Sequence, residues 1–359
     1  MEITVEKILD ALRYVDDPDL KKDLVTLNMV KDVAVNGKQV SFTVVLTTPA
    51  CPMKDMIHNA CMNAILHYVD KEAKVSINMT SNVTSKKEKD ETTLRDVRNI
   101  IAVASGKGGV GKSTIAANLA LGLVRQGAKV GIVDADIYGP SQHIMFGVTN
   151  ENPGTAEFNG QRKMAPVESY GVKINSIGFL AGPNQAVALR GPMATKALSQ
   201  LFYETVWGDL DYLIVDLPPG TGDIQISLCS QVPVTGAVVV CTPQDVALSD
   251  ARKGIALFQL PQVNVPILGL VENMAWFTPA ELPENKYYIF GKDGVKHLAE
   301  ELNLPLLSQI PLVQSVREAS DAGRPAVLQE NTPQALLFME LAQHVAQQIA
   351  IGNSVPAAV

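Results

Sequence analysis

The strongest constraint on how this chain can fold is the segment Gly106-Lys107-Gly108-Gly109-Val110-Gly111-Lys112-Ser113-Thr114, set between the apolar run Ile100 to Ala104 and the helix-like stretch Ile115 to Val124. A strand that runs through a glycine-rich loop into a helix aims several backbone N–H groups at one point, and the helix N-terminus adds positive potential there. Such a loop cradles nucleotide phosphates, with Lys112 placing its charge on the β- and γ-phosphates and Ser113 offering its hydroxyl to Mg²⁺. A glycine-rich turn without a ligand is the plainer alternative, and the run of matched positions in strand, loop and helix order speaks against it.

The rest of the chain organises around that loop. Residues 81–98 are polar and charge-dense, without apolar periodicity, and read as a linker. Upstream, residues 1–80 read as a small α+β domain: a helix near Val5 to Tyr14, strands Val30 to Val35 and Val40 to Leu46 joined by Asn36-Gly37 in a type I′ hairpin, a helix from about Met53 to Val69, and a strand Ala73 to Met79. Downstream, apolar runs alternate with helical stretches: Ile100 to Ala104, Val130 to Val133, Tyr212 to Val215, Ala237 to Cys241 and Ile267 to Val271. That rhythm predicts an α/β domain over 99–351, a mainly parallel sheet flanked by helices with ligands at the carboxyl ends of its strands, and leaves 352–359 as a tail.

Two strand ends carry acids. In Asp134-Ala135-Asp136, residues two apart on a strand face one side, so both carboxylates are expected to address the phosphate site. Asp216, after Leu213-Ile214-Val215, reads as the carboxylate near Mg²⁺, and the Pro218-Pro219-Gly220-Thr221-Gly222 run after it as a switch that senses the γ-phosphate. Asp223 suits a helix N-cap or first turn. Asn273, in Val271-Glu272-Asn273-Met274, can offer donor and acceptor to a base. A guanine signature is missing, because Asn285-Lys286-Tyr287-Tyr288 lacks its closing acid, which favours ATP over GTP.

Lys107, one residue into the loop, makes the motif resemble the deviant Walker A of the MinD/ParA/nitrogenase-iron-protein class. The resemblance implies an ATP-dependent homodimer in which Lys107 crosses to the partner's nucleotide and makes hydrolysis conditional on dimerisation. It also implies that Asp134 supports Mg²⁺ through water, that Asp136 orients the attacking water, and that Asn273 contacts adenine. Lys107, Lys112 and Asp136 are thus the expected catalytic set; Gly106 to Thr114 with Asn273 the nucleotide-binding set; Ser113, Asp134 and Asp216 the Mg²⁺ set.

Within that class, these segments together with Ile310-Pro311, Arg317-Glu318-Ala319 and Asp321 to Pro325 are similar to the Mrp/ApbC family of iron–sulfur cluster carriers and ATPases. Asp17-Pro18-Asp19, Asp23 to Leu27 and Thr48-Pro49-Ala50-Cys51-Pro52 look like the small iron–sulfur assembly and PaaD-like domain. The family's C-x-x-C after the Glu-Asn-Met segment is absent: Ala275 to Glu284 holds no cysteine. Glu281 and Glu284 are poor substitutes, since iron–sulfur clusters prefer thiolate. Cys51 matches the family's cysteine in the small domain, where its place before a helix would favour thiolate; packing as a small apolar residue is the other reading. Cys61, Cys229 and Cys241 read as core, and the five histidines show no ligand spacing.

The resemblance implies an ATP-hydrolysing carrier that delivers clusters to client apoproteins or takes them from a scaffold. The alternatives are a ParA/MinD-like switch or an ATP-gated adaptor, neither carrying a cluster. The net charge of −7 argues against nucleic acid as a partner. The start resembles no secretory signal, no run reaches transmembrane length, and Thr332 to Ile351 has no Lys or Arg for anionic lipid, so a cytoplasmic protein without a membrane partner is expected.

Overall fold

The computed structural model describes residues 3–87, 91–179, 192–279 and 281–355. Residues 88–90 of the expected linker, residue 280 of the cysteine-free stretch and residues 356–359 of the expected tail lie outside them. The chain forms two units, residues 1–85 with 346–359, and residues 86–345.

In the smaller unit, α1 (Val5–Leu12) starts at Thr4, whose hydroxyl accepts from Lys7 N at 3.4 Å, and buries Ile8, Ala11 and Leu12. A two-residue ladder of β1 (Asp16–Asp17) and β2 (Lys22–Asp23) follows. β3 (Val30–Asn36) pairs antiparallel with β4 (Gln39–Leu46), and β4 pairs parallel with β5 (Lys74–Ser81) after the crossover helix α2 (Lys54–Tyr68). The parallel pairing requires that helix, because a strand cannot return in the same direction through a tight turn. Phe42 and Val44 from the sheet meet Ile8, Leu12, Ile57 and Ile65 from the helices in one apolar core.

The β3–β4 hairpin is present, with a different turn from the one expected. Asn36 pairs with Gln39, so Gly37 and Lys38 are the two loop residues, and only Gly37 has a positive φ, +61°. Positive φ at the first central residue alone is the II′ pattern; Asn36 has been drawn into the ladder, which removes it from the I′ position.

In the larger unit the elements run β6 (Val97–Ala104), α3 (Lys112–Arg125), β7 (Val130–Asp134), the short α4 (Gln142–Met145), a hairpin of β8 (Gly154–Phe158) and β9 (Gln161–Ala165), β10 (Val167–Ser169) and β11 (Val172–Ser176). Then come α5 (Pro192–Tyr203), β12 (Leu210–Asp216), α6 (Asp223–Gln231), β13 (Gly236–Cys241), α7 (Asp245–Phe258), β14 (Ile267–Phe277), α8 (Gly294–Leu302), β15 (Leu306–Leu312), α9 (Gln314–Asp321) and α10 (Pro333–Ser354). The end of α10, from residue 346, belongs to the smaller unit.

Among the described residues, eight strands form the sheet, in the order β10-β11-β7-β12-β6-β13-β14-β15, parallel except for β10. The central strands are buried along nearly their whole length, which is why β12 and β13 read as unbroken apolar runs instead of alternating ones. Helices cover both faces of such a sheet, and the core includes Leu94, Ile100, Phe202, Trp207 and Leu213. Leu94 is fully buried and β6 begins at Val97, so the end of the segment read as a linker is packed; its two apolar side chains are few enough to hide among the charges around them.

Candidate nucleotide site

Register brings the acids together. In the parallel ladder, Ser176 stands opposite Asp134, Asp134 opposite Asp216, and Asp216 opposite Val103, the penultimate residue of β6. The carboxyl ends of β11, β7, β12 and β6 therefore form one row, and the glycine-rich loop leaves the sheet at its end. Order reverses beside β6, since the chain's next strand β7 lies across β12 while β13 lies on the other side, and such a switch point opens a crevice.

The loop's glycines have distinct causes. Gly109 and Gly111 have φ of +81° and +82°, a region that side chains resist. A Cβ on Gly106 would lie 2.2 Å from the Asp250 carbonyl carbon of α7, so the loop's first residue packs directly on another backbone. Gly111 is the N-cap of α3 and leaves the first turn of that helix, from Lys112, facing the loop.

Lys112 and Asp216 form an ion pair with both side chains almost wholly buried, and Lys112 Nζ also lies 3.2 Å from Ser113 Oγ. The other Asp216 oxygen, Oδ2, accepts from Gln142 Nε2 at 2.7 Å. Asp134 is fully buried: its Oδ2 accepts from Ser141 N at 2.8 Å, Gln142 N at 2.9 Å and Ser176 Oγ at 3.1 Å. Burial, and then the neighbouring Asp216 carboxylate, push Asp134 up to about 7.

Asp134 and Asp136 do not share a strand face as expected. β7 ends at Asp134, and Asp136 N turns back to donate to Asp134 Oδ1 at 3.3 Å, taking Asp136 off the sheet. Asp136 is half-buried in the following loop, where its Oδ1 accepts from Gly139 N at 3.3 Å; burial raises its carboxyl, with Lys112 opposing. Asp134 is enclosed by the 141–142 turn, whereas Asp136 keeps partial access to solvent.

Asn273 reaches the phosphate loop as well. Its Nδ2 donates to Val110 O at 2.8 Å and lies 2.2 Å from where a Gly111 Cβ would be. One N–H of this amide is thus held by the phosphate loop, because β14 runs beside β13 and carries Asn273 to the loop. Met274 follows with φ +55°, a left-handed turn at a bulge in β14. Ser105 Oγ donates to Lys107 O at 2.9 Å, and Gly220 N to Ser105 O at 2.9 Å, which ties the 218–222 segment to the same loop. Lys107 itself is exposed, and among the described residues its ammonium has no ion pair. Asp223 is the first residue of α6, after Gly222 as N-cap.

Oxygen donors dominate here: the Ser113 hydroxyl, the Asp216 carboxylate, and a buried Gln142 Oε1 that has no partner among the described residues. That set fits a hard cation such as Mg²⁺. Gln142 was not singled out from the sequence; its position one residue after Pro140-Ser141, in the Asp134 to Ser141 segment's wake, was the available signal.

The family described as "ParA: NUBPL iron-transfer P-loop NTPase" matches residues 96–347. The chain belongs to this family. A second family, "Iron-sulfur cluster assembly protein", matches residues 5–79. The chain is similar to an "Iron-sulfur cluster carrier protein" of Synechocystis, 44% identical over 97% of this chain and 99% of the relative. Its similarity to the protein of that name from Escherichia coli K12 is 44%, over 95% and 91% of the two chains. Among solved structures, a nucleotide-binding protein from Archaeoglobus fulgidus in complex with ADP is similar at 34% identity and TM-score 0.59, over 68% of this chain and 93% of that one. The resemblance read from the motifs and the P-loop α/β fold are thereby borne out.

The cysteines give a different result. Cys61, Cys229 and Cys241 are buried, as expected of core residues. Cys51 is partly buried, and burial raises its thiol to about 11, with the Asp19 and Asp17 carboxylates adding to the shift. The expected thiolate-favouring position is corrected: α2 starts at Lys54, three residues on, and desolvation outweighs the Met53 N–H that favours the anion. In the cysteine-free stretch, Phe277 and Tyr287 exchange N–H···O bonds of 2.8 Å, and the Lys286 ammonium sits 4.0 Å from the Trp276 ring centre. Among the described residues, no group of three or more His, Cys, Asp and Glu is placed to hold a metal ion, and no helix is long and apolar enough to cross a membrane.

Proposed function

We propose that this protein is an ATP-binding and ATP-hydrolysing iron–sulfur cluster carrier or assembly factor, which acts in the cytoplasm and passes clusters to apoproteins. The observation that carries this reading is the coincidence, along one chain, of a phosphate-loop site with an assembly domain in the arrangement shared by carrier-named relatives over nearly their full length. Those names do not favour a cluster-free switch or adaptor.

The loop N–H groups and Lys112 bind the phosphates. Ser113 and Asp216, both beside the Lys112 ammonium, would hold Mg²⁺, which when bound would neutralise charge on the transferred phosphoryl group. Asp136, the more accessible of the two acids, orients water. Asp134 holds the loop that carries Asp136, and in the family's manner would reach the metal through water. Lys107, exposed on the loop, completes the site of a second copy in an ATP-bound homodimer. The cluster is cargo, with Cys51 as the thiol on this chain that lies nearest to solvent.

Anaerobic reconstitution with iron and sulfide, on wild type and Cys51→Ser, tests the carrier reading by metal content per chain and visible absorption. Cluster in the wild type and its loss in the variant are expected. An absence of cluster in the wild type would leave an ATP-gated adaptor or a ParA/MinD-like switch.

A further inference from the structure

Three polar atoms on consecutive residues, Ser141 Oγ, Gln142 Oε1 and His143 Nδ1, are buried without a hydrogen-bond partner among the described residues. Gln142 is the one inside the nucleotide site. Its Nε2 donates to Asp216 Oδ2 at 2.7 Å and to the Ser113 carbonyl at 3.1 Å, while its backbone N–H donates to Asp134 Oδ2 at 2.9 Å. One fully buried residue thus joins the ends of β7 and β12 to the first turn of α3.

The orientation of this amide follows from its neighbours. A carboxylate and a carbonyl only accept, so the NH₂ end must face them and Oε1 must face away. A buried acceptor left without a donor carries an uncompensated desolvation cost. The protein supplies no donor among the described residues, whereas water in the shell of a cation at Ser113 and Asp216 would supply one.

We propose that Gln142 is a positioning residue for the metal side of the site. Its Nε2 fixes the rotation of the Asp216 carboxylate so that Oδ1 faces Lys112 and Ser113, and its Oε1 accepts a hydrogen bond from a water coordinated to Mg²⁺. Outer groups of this kind set the orientation and affinity of a metal's direct ligands. A glutamine serves because a third carboxylate would face Asp134 and Asp216 across a buried space. The inference rests on the nucleotide-binding reading above.

The test is calorimetric titration of the full chain with ADP, in EDTA and across a series of MgCl₂ concentrations, with a thermal melt of each variant. Gln142→Met should raise the MgCl₂ half-saturation about tenfold or more while ADP affinity in EDTA stays within about twofold. Unchanged Mg²⁺ dependence in Gln142→Met overturns the proposal, as does an equal loss of ADP affinity in EDTA, which would mark a purely structural role. Gln142→Ala is read in the same way if Gln142→Met does not fold, and failure of both to fold also overturns it. ADP binding absent from the wild type in both buffers would instead overturn the nucleotide reading.

Discussion

Asn273 Nδ2 donates to the Val110 carbonyl at 2.8 Å, so a side chain from β14 holds the phosphate loop from beneath. The contact is buried on both sides. Asn273→Ala leaves that carbonyl unpaired and should cost about 1–3 kcal/mol of stability. Urea denaturation would read the loss, and ADP titration should show weaker binding as the loop loosens. Gly111→Ala should be worse, because it combines a φ of +82° with a Cβ 2.2 Å from the same amide nitrogen.

Removing Lys112 strands a fully buried carboxylate. Lys112→Ala should therefore destabilise the fold by about 3–5 kcal/mol as well as abolish nucleotide binding. The double variant Lys112→Ala/Asp216→Asn should regain much of that stability and none of the binding. Denaturation of the two single variants and the double variant separates the two effects; additive losses would show that the pair is not coupled.

Lys107 and Asp136 should separate binding from turnover. Lys107→Ala is expected to lower ATP hydrolysis by about 10³-fold, the scale of a lost transition-state cation, with ADP affinity kept. Asp136→Ala should slow hydrolysis and prolong an ATP-bound dimer, visible by light scattering. Unchanged hydrolysis in both would remove these residues from the mechanism.

The Cys51 thiol should resist alkylation. Its folded value is raised from 9.0 to about 11, so the neutral form persists through pH 9 and the iodoacetamide rate should keep rising toward pH 11. The same shift means that the folded state holds this proton more tightly than the unfolded chain, and the associated stability is lost as pH rises from about 9 through about 11. Cys51→Ser should flatten that part of a stability profile. A rate that levels off near pH 9 would contradict the burial.

The glycine loop, the strand rhythm and the acids at the strand ends were legible because parallel buried strands leave unbroken apolar runs that end at the ligand edge. β15 and the edge pair β10–β11 were not: Leu306 to Leu312 mixes Ser308, Gln309 and Pro311 into its run, and three residues of β10 are too few to show a period. Asp136 was misplaced because a period of two holds only while the strand lasts, and the Asp136 N–H to Asp134 bond ends it. Asn273 was visible as a residue type, while its partner, 163 positions away, depends on the order of strands in the sheet. Gln142 could not have been found by spacing, since its role arises where three separate strand and helix ends converge.

The Phe277–Tyr287 bridge closes the segment where the Mrp/ApbC resemblance implied a cysteine pair and this chain has none, and three of its four cysteines are buried. The consequence is one of stoichiometry. A four-thiolate cluster drawing on Cys51 would take two ligands from a symmetric pair of chains, and the other two would have to come from a third party. Cargo held on such terms would be half-owned by whichever molecule gives or receives it.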